Sequence, residues 1–157
     1  MSGVAAASQQ AAAMILHTHE VRVLVMTERQ ENLKRIRLEL ARSKEFPDGS
    51  TAHGYEFVAP LDGEAHIDPA LWRKHRDRCR VRRFWDGEAE VGHLVHRPGG
   101  PEHALWVFDY DGSVAEHDDE TGYRFGAHAF RPGEYVSIRD PASGMHTFRV
   151  VWVTPAE

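Results

Sequence analysis

The chain has 157 residues, of which 41% are hydrophobic and 27% are charged, and its formal net charge is −5. That length suits one domain with a sufficient core and leaves too little chain for two. The negative charge offers no long-range attraction to nucleic acid or to an anionic membrane, so such a partner would need a local patch.

The single cysteine excludes an intramolecular disulfide, a CxxC redox pair and a zinc site built on several thiolates. No apolar run approaches the roughly twenty residues that cross a bilayer. These features favour a soluble, cytoplasmic protein without a membrane partner.

The first 25 residues differ in composition from the rest. Residues 1–13 are mostly Ala, Ser, Gln and Gly, without bulky apolar anchors, which predicts a disordered tail. Residues 19–25 have the pattern of a short edge strand. Met26 is an alternative natural start, because Thr27 followed by Gln30 is a capping-box pattern. We therefore predict a disordered tail or upstream extension over residues 1–25 and a single domain over residues 26–157.

Two helices are predicted before the strand-rich part of the chain. Leu33, Ile36 and Leu40 follow the i, i+3, i+7 spacing of one helical face, which predicts an amphipathic helix over residues 28–43. Asp68 followed by Pro69 is a helix-start signal, because Asp caps free amides and Pro suits the first turn. This second helix is short, and Leu71, Trp72 and His75 are expected to face inward.

The remaining pattern is that of short antiparallel strands. Period-two alternation predicts strands at residues 54–59, 80–85, 88–96, 103–109, 123–130, 134–139 and 146–153, with Gly and Pro turns between them. The strand opening from Pro132 to Ile138 resembles that of SH3-like barrels, where a Pro-Gly-acid turn leads into a strand. The predicted fold class is α+β, with both helices packed on a curved antiparallel sheet or a small SH3-like β-barrel.

A basic run followed by aromatic residues is the first candidate site. Seven cations against one acid lie between residues 73 and 83, directly before Phe84 and Trp85. Arg80, Arg82 and Phe84 share one strand face by alternation, which is a plausible surface for phosphates and a stacked base. In the alternative interpretation, these basic residues form a solvent-exposed face and their charges pair with the acidic residues between 109 and 120. The proposed binding residues are Arg78, Arg80, Arg82 and Trp85.

The eleven histidines make a metal site the second candidate. His93 and His96 have HxxH spacing, but residues three apart on a strand point to opposite faces. His96 and His103 flank a Pro-Gly-Gly-Pro turn and could meet across a hairpin, with His117 or His128 as a third ligand supplied by the fold. A divalent metal is therefore the alternative cofactor, with scattered surface histidines as the ordinary explanation.

Other motifs are weaker. Residues 109–120 match an EF-hand loop at several acidic positions, but Val114 stands where that loop needs glycine, which favours an acidic surface loop. The sequence has no nucleophile elbow, HExxH, P-loop or GxGxxG motif. Cys79 shares its strand face with Asp77 and Val81, neither of which lowers a thiol pKa, so it is predicted to be a packed core residue.

The sequence thus favours a non-enzymatic binding or interaction module that uses a basic and aromatic strand face. Its expected partner is an acidic protein surface or a nucleic-acid segment. The separation of basic and acidic stretches also permits a homo-oligomer. The alternative function is a metal-binding protein or metal-dependent enzyme built on the histidines.

Overall fold

Eight antiparallel strands close into a barrel in which each strand pairs with its neighbour in sequence and the last pairs with the first. The computed structural model describes residues 32–97, 105–111 and 119–156. The strands are β1 (Leu33–Leu40), β2 (Ser50–Pro60), β3 (Arg80–Trp85), β4 (Glu88–Arg97), β5 (Leu105–Tyr110), β6 (Glu120–Tyr123), β7 (Tyr135–Asp140) and β8 (Gly144–Pro155). Helix α1 (Pro69–His75) and a 3₁₀ turn (Arg76–Arg78) connect β2 to β3, and a second 3₁₀ turn (Phe125–Ala127) follows β6. Among these residues, no helix is both long enough and apolar enough to span a membrane.

The prediction of a small antiparallel barrel is confirmed, in an eight-stranded up-and-down form and not the SH3-like one. The α+β class and its N-terminal amphipathic helix are wrong for the described residues, because residues 33–40 form β1. Ile36, Leu38 and Leu40 are buried at alternate positions, and β1 pairs with β2 on one side and β8 on the other. The hydrogen-bonded pairing of β1 along both of its edges outweighs the helix propensity of its residues. The tail over residues 1–25 and the strand at 19–25 lie outside the described residues.

Helix α1 forms where the sequence predicted a short helix. The Asp68 carboxylate accepts hydrogen bonds from the amides of Ala70 and Leu71, at 3.0 and 3.2 Å. Trp72 is buried, as predicted, and its Nε1 donates to the carbonyl of Leu94 at 2.8 Å. The helix is therefore capped at its start and fastened to β4 at its centre.

The predicted strand at residues 123–130 is wrong. Strand β6 ends at Tyr123, and the 3₁₀ turn folds the Phe125 ring into the barrel. A Cβ at Gly122 would lie only 2.4 Å from that ring, so the glycine provides the space for it. The predicted alternation of inward and outward residues ends here, because the Phe125 side chain, which lies outside the strand, fills the core.

The barrel interior differs between its two ends. One end carries α1 and the turn after β6, and we call it the helix end. It is packed with aromatic rings, including Phe57, Phe108, Phe125 and Phe130. The other end, where the β3–β4 and β7–β8 turns lie, we call the turn end. Strand alternation brings ionisable side chains into the interior there.

Candidate functional site

Strand β3 presents a different set of side chains on each of its faces. Arg80 and Arg82 are exposed on the outer face, while Val81 is buried inside. Arg83 and Trp85 share the inner face with Val81 and are half-buried. The structure therefore separates the residues that the sequence proposed as one site, because Trp85 lies opposite to the two outer arginines.

The outer arginines lie beside acidic side chains from neighbouring strands. Arg80 Nη2 is 3.3 Å from Asp111 Oδ2, and Arg82 Nη2 is 3.9 Å from Glu56 Oε1. The Arg82 guanidinium also lies 5.3 Å from the ring centre of Phe84. Arg78 is exposed in the 3₁₀ turn before β3. The outer face therefore corresponds in part to the alternative in which the arginines are exposed to solvent and paired with acidic residues. The Arg80 and Arg82 side chains are 54% and 47% exposed.

A group of ionisable side chains lies inside the turn end, and we call it the polar cluster: Tyr55, Arg83, Tyr110, Glu120 and Asp140. The Tyr55 hydroxyl donates a hydrogen bond to Glu120. Arg83 Nε is 3.1 Å from Glu120 Oε1, and Arg83 Nη2 is 3.7 Å from Asp140 Oδ2. Glu120 is only 4% exposed. Strands β2, β3, β5, β6 and β7 each contribute one member, so the cluster exists only in the closed barrel.

Burial and mutual charge shift the pKa values within the cluster. Burial raises the pKa of Glu120, although Tyr55 and Arg83 partly offset the rise by stabilising the carboxylate. Burial would lower the pKa of Arg83, but the charge of Glu120 together with the contributions of Tyr55 and Tyr110 outweighs it, and the pKa is raised. Burial, and next the charge of Glu120, raise the pKa of both Tyr55 and Tyr110. Both phenols therefore keep their protons and remain hydrogen-bond donors at neutral pH.

Two buried atoms of the cluster make no hydrogen bond of good geometry among the described residues: the Tyr110 hydroxyl and Arg83 Nε. Tyr110 is 9% exposed, and its hydroxyl interacts with the Glu120 carboxylate through charge and a weak hydrogen bond. Arg83 Nε is close enough to Glu120 for an ion pair, but the angle does not make a hydrogen bond. Glu120 is therefore the partner of both groups inside the barrel.

Aromatic side chains lie beside the cluster towards the turn end. The His53 and Trp85 rings pack edge to face with their centres 4.6 Å apart, and His146 lies 5.9 Å from Trp85. The Arg83 guanidinium lies 4.3 Å from the ring centre of Trp85. Trp85, one of the binding residues proposed from the sequence, is thus half-buried and positions Arg83 through a cation–π contact.

A pocket of about 370 Å³ opens beside Arg83 and is lined also by Glu88, Ala89 and Glu90. Glu88 pairs with Trp85 and Glu90 with Arg83 across β3 and β4, so these two carboxylates belong to the inner face. A larger groove of about 590 Å³ runs along the β1–β2 connection, β7 and β8. Its lining contains no member of the polar cluster, so the smaller pocket is the better candidate site.

The proposed metal ligands do not form a site within the described part of the chain. His93 is half-buried on the outer face, where its Nδ1 lies 3.6 Å from Asp111. His96 faces inward and stacks on Trp106 with ring centres 4.3 Å apart. Burial, with the charge of Arg73 second, lowers the pKa of His96. His103 and His117 lie outside the described residues. Among those described, no three His, Cys, Asp or Glu side chains are arranged to hold a metal ion.

Four members of the polar cluster were not predicted from the sequence as site residues: Tyr55, Tyr110, Glu120 and Asp140. Glu120 was predicted only as the end of an acidic loop, of which residues 112–118 lie outside the described residues. One local signal was present: Arg83 is the only cation on a strand face that it shares with Val81 and Trp85. An arginine among apolar neighbours on one face indicates a buried charge that needs a partner.

Comparison with known proteins adds no assignment. No family model, no curated protein and no solved structure matches this chain.

Proposed function

We propose that this protein binds a small molecule at the turn end of the barrel, in the pocket beside Arg83. The observation that carries the proposal is the position of this pocket, which is lined by Arg83 of the polar cluster and by two carboxylates of β4. The pocket volume of about 370 Å³ falls within the range of about 300–1,000 Å³ that small-molecule sites occupy. Three of the four lining residues are charged, so hydrogen bonds and charge would determine which ligand binds.

The proposal keeps the binding module predicted from the sequence but places its site on the inner face of β3. Arg83 and Trp85 line or support the pocket, whereas Arg80 and Arg82 project away from it. The polar cluster is rigid because it draws on five strands, and a preorganised site loses little conformational entropy when it binds.

The experiment is a fluorine NMR screen. Neutral, cationic and anionic fluorinated fragments are tested for binding to the parent protein and to two variants. Glu90→Trp fills the pocket from an exposed inner-face position, and Val91→Trp places the same ring on the outer face, where Val91 is 46% exposed. Both changes lie on the surface of one strand, so folding should tolerate them equally. We expect fragments that bind the parent protein to bind Val91→Trp and to lose binding to Glu90→Trp. Fragments that bind both variants equally, or a screen without hits, would refute the proposal.

A second candidate function is binding of a partner at the outer face of β3, which the exposure of Arg80 and Arg82 favours. Its partner would be an acidic protein or a nucleic-acid segment, as the sequence predicted. The test is retention of the double variant Arg80→Glu, Arg82→Glu on immobilised heparin at low salt. A shift to earlier elution than the parent protein supports this function, and unchanged elution ends it.

A further inference from the structure

We propose that the outer face of β6, β7 and β8 binds single-stranded nucleic acid, with its arginines on the phosphates and its tyrosines against the bases. We call it the tyrosine–arginine face, and its five exposed members are Tyr123, Arg124, Tyr135, Arg139 and Arg149. This site lies outside the barrel and is independent of the pocket beside Arg83. Strands β3 and β7 lie on opposite sides of the eight-stranded barrel, so the site is also distinct from the outer face of β3.

The sheet register places the members of this face close together. Ser137 of β7 pairs with Tyr123 of β6, and its same-face neighbours along β7 are Tyr135 and Arg139. Tyr135 in turn pairs with Arg149 of β8. Neighbouring strands lie about 4.8 Å apart, and same-face residues along one strand about 6.6 Å apart. The two tyrosines are therefore diagonal neighbours, and each has an arginine directly or diagonally beside it.

Acidic side chains near these arginines in the sheet do not neutralise them. Glu39 is the cross-strand neighbour of Arg149, but its Oε2 lies 2.7 Å from Arg37 Nε. Asp140 follows Arg139 in β7, but it belongs to the polar cluster inside the barrel. Within the part of the chain that the structure describes, no carboxylate lies within ion-pair distance of Arg139 or Arg149. Both guanidinium groups can therefore bind an external anion.

Exposed aromatic rings accompany this positive charge. Tyr123 and Tyr135 are 47% and 56% exposed, and the Arg124 guanidinium lies 5.2 Å from the ring centre of Tyr123. Glu134, directly before Tyr135, offsets only one of the three arginines, so the face is positive. Guanidinium groups bind phosphate, and aromatic rings stack on bases that are not paired in a duplex. An acidic peptide would use the arginines but would gain little from the rings, so this combination favours a single strand.

Binding is measured by the fluorescence anisotropy of a labelled oligothymidylate of about 12 nucleotides, from low salt upwards. An oligouridylate of the same length distinguishes RNA from DNA, and binding of either supports the proposal. The double variant Arg139→Gln, Arg149→Gln removes two phosphate contacts. Lys74→Gln, Arg76→Gln removes the same charge from exposed residues at the helix end and is the matched control. Tyr135→Ala removes one ring, and Tyr135→Phe keeps it.

We expect the parent protein to bind the single strand at low salt. Each phosphate contact contributes about 0.7 to the slope of log affinity against log salt concentration, so Arg139→Gln, Arg149→Gln should reduce that slope by about 1.4. The control pair should leave the slope unchanged. Tyr135→Ala should weaken binding by roughly fivefold or more through the loss of stacking, and Tyr135→Phe should bind as the parent does.

The proposal fails if neither oligonucleotide binds the parent protein, or if the two double variants lose affinity equally. Unchanged binding to Tyr135→Ala would also overturn it, because the ring would then make no contact with a base. Tighter binding of a duplex, or displacement of the oligonucleotide by polyglutamate at equal charge, would assign the face to a different partner and reject the single strand. The pocket beside Arg83 is tested separately by the fragment screen, whose outcome does not depend on these results.

Discussion

Arg83 and Glu120 face each other inside the barrel, with Arg83 Nε 3.1 Å from Glu120 Oε1. They belong to β3 and β6, which are not adjacent in the sheet, so their contact spans the interior. The hydrogen bond from Tyr55 to Glu120 adds β2, and Asp140 adds β7. The polar cluster therefore ties together opposite walls of the barrel at the end where the pocket opens.

Replacing Arg83 with Met should lower the free energy of unfolding by about 2–4 kcal/mol at pH 7. The change leaves the buried carboxylate of Glu120 without its cation, and the partial exposure of Arg83 moderates the cost. Arg82→Met is the matched control on the outer face, with an expected change below about 1 kcal/mol because Arg82 is 47% exposed. Urea unfolding followed by tryptophan fluorescence measures both. Equal effects of the two variants would mean that the inner pair makes no special contribution.

Glu120→Gln should change how stability depends on pH. Because the pKa of Glu120 is raised by burial, the folded protein holds this proton to higher pH than the unfolded chain does. The contribution of Glu120 to the free energy of unfolding is thus greatest below its unfolded pKa of roughly 4.3, and it declines as pH rises through the folded pKa. Relative to Glu120→Gln, the parent protein should lose stability as pH increases from 4 to 7. Urea titrations at several pH values measure this difference, and a gain with rising pH would show that Arg83 dominates over burial.

The sequence predicted the later strands well and failed at the first. Strands β3, β4, β7 and β8 begin or end within about two residues of their predicted limits, because alternation and Gly or Pro turns act together there. At β1, Leu33, Ile36 and Leu40 fit a helical stripe equally well. The choice depends on β2 and β8, which pair with β1 from distant parts of the chain. No local pattern contains that information.

The site was predictable only in part for the same reason. Strand alternation places Trp85 on the same face as Arg83, although the site proposed from the sequence joined Trp85 to Arg80 and Arg82. It could not tell which face lies inside, because both faces of β3 carry a cation. Tyr55 and Glu120 are 65 residues apart in the chain and meet only through barrel closure. A buried cluster assembled from five strands produces almost no recognisable pattern in any single segment of the sequence.

Gly122→Ala should destabilise the barrel by about 1–3 kcal/mol. The new Cβ would lie 2.4–2.6 Å from the Phe125 ring, which packs against Phe57 and Phe130 and has no free space to move into. Gly63→Ala is the control, because a Cβ there meets nothing within 4 Å. Thermal unfolding of both variants by circular dichroism tests the difference. If Gly122→Ala unfolds at the same temperature as Gly63→Ala, the Phe125 ring is not packed as described.

Cys79 should be unreactive in the folded protein and reactive only after unfolding. It is fully buried, and burial raises the pKa of its thiol to about 12, so almost no thiolate forms at pH 8. It is the only cysteine of the chain, so the absorbance released by Ellman's reagent reports on this residue alone. We expect slow release in native buffer and one full equivalent in urea. A Thr51→Cys variant in a Cys79→Ser background provides an exposed thiol that should react at once. Equally fast reaction of native Cys79 would contradict its burial in the core.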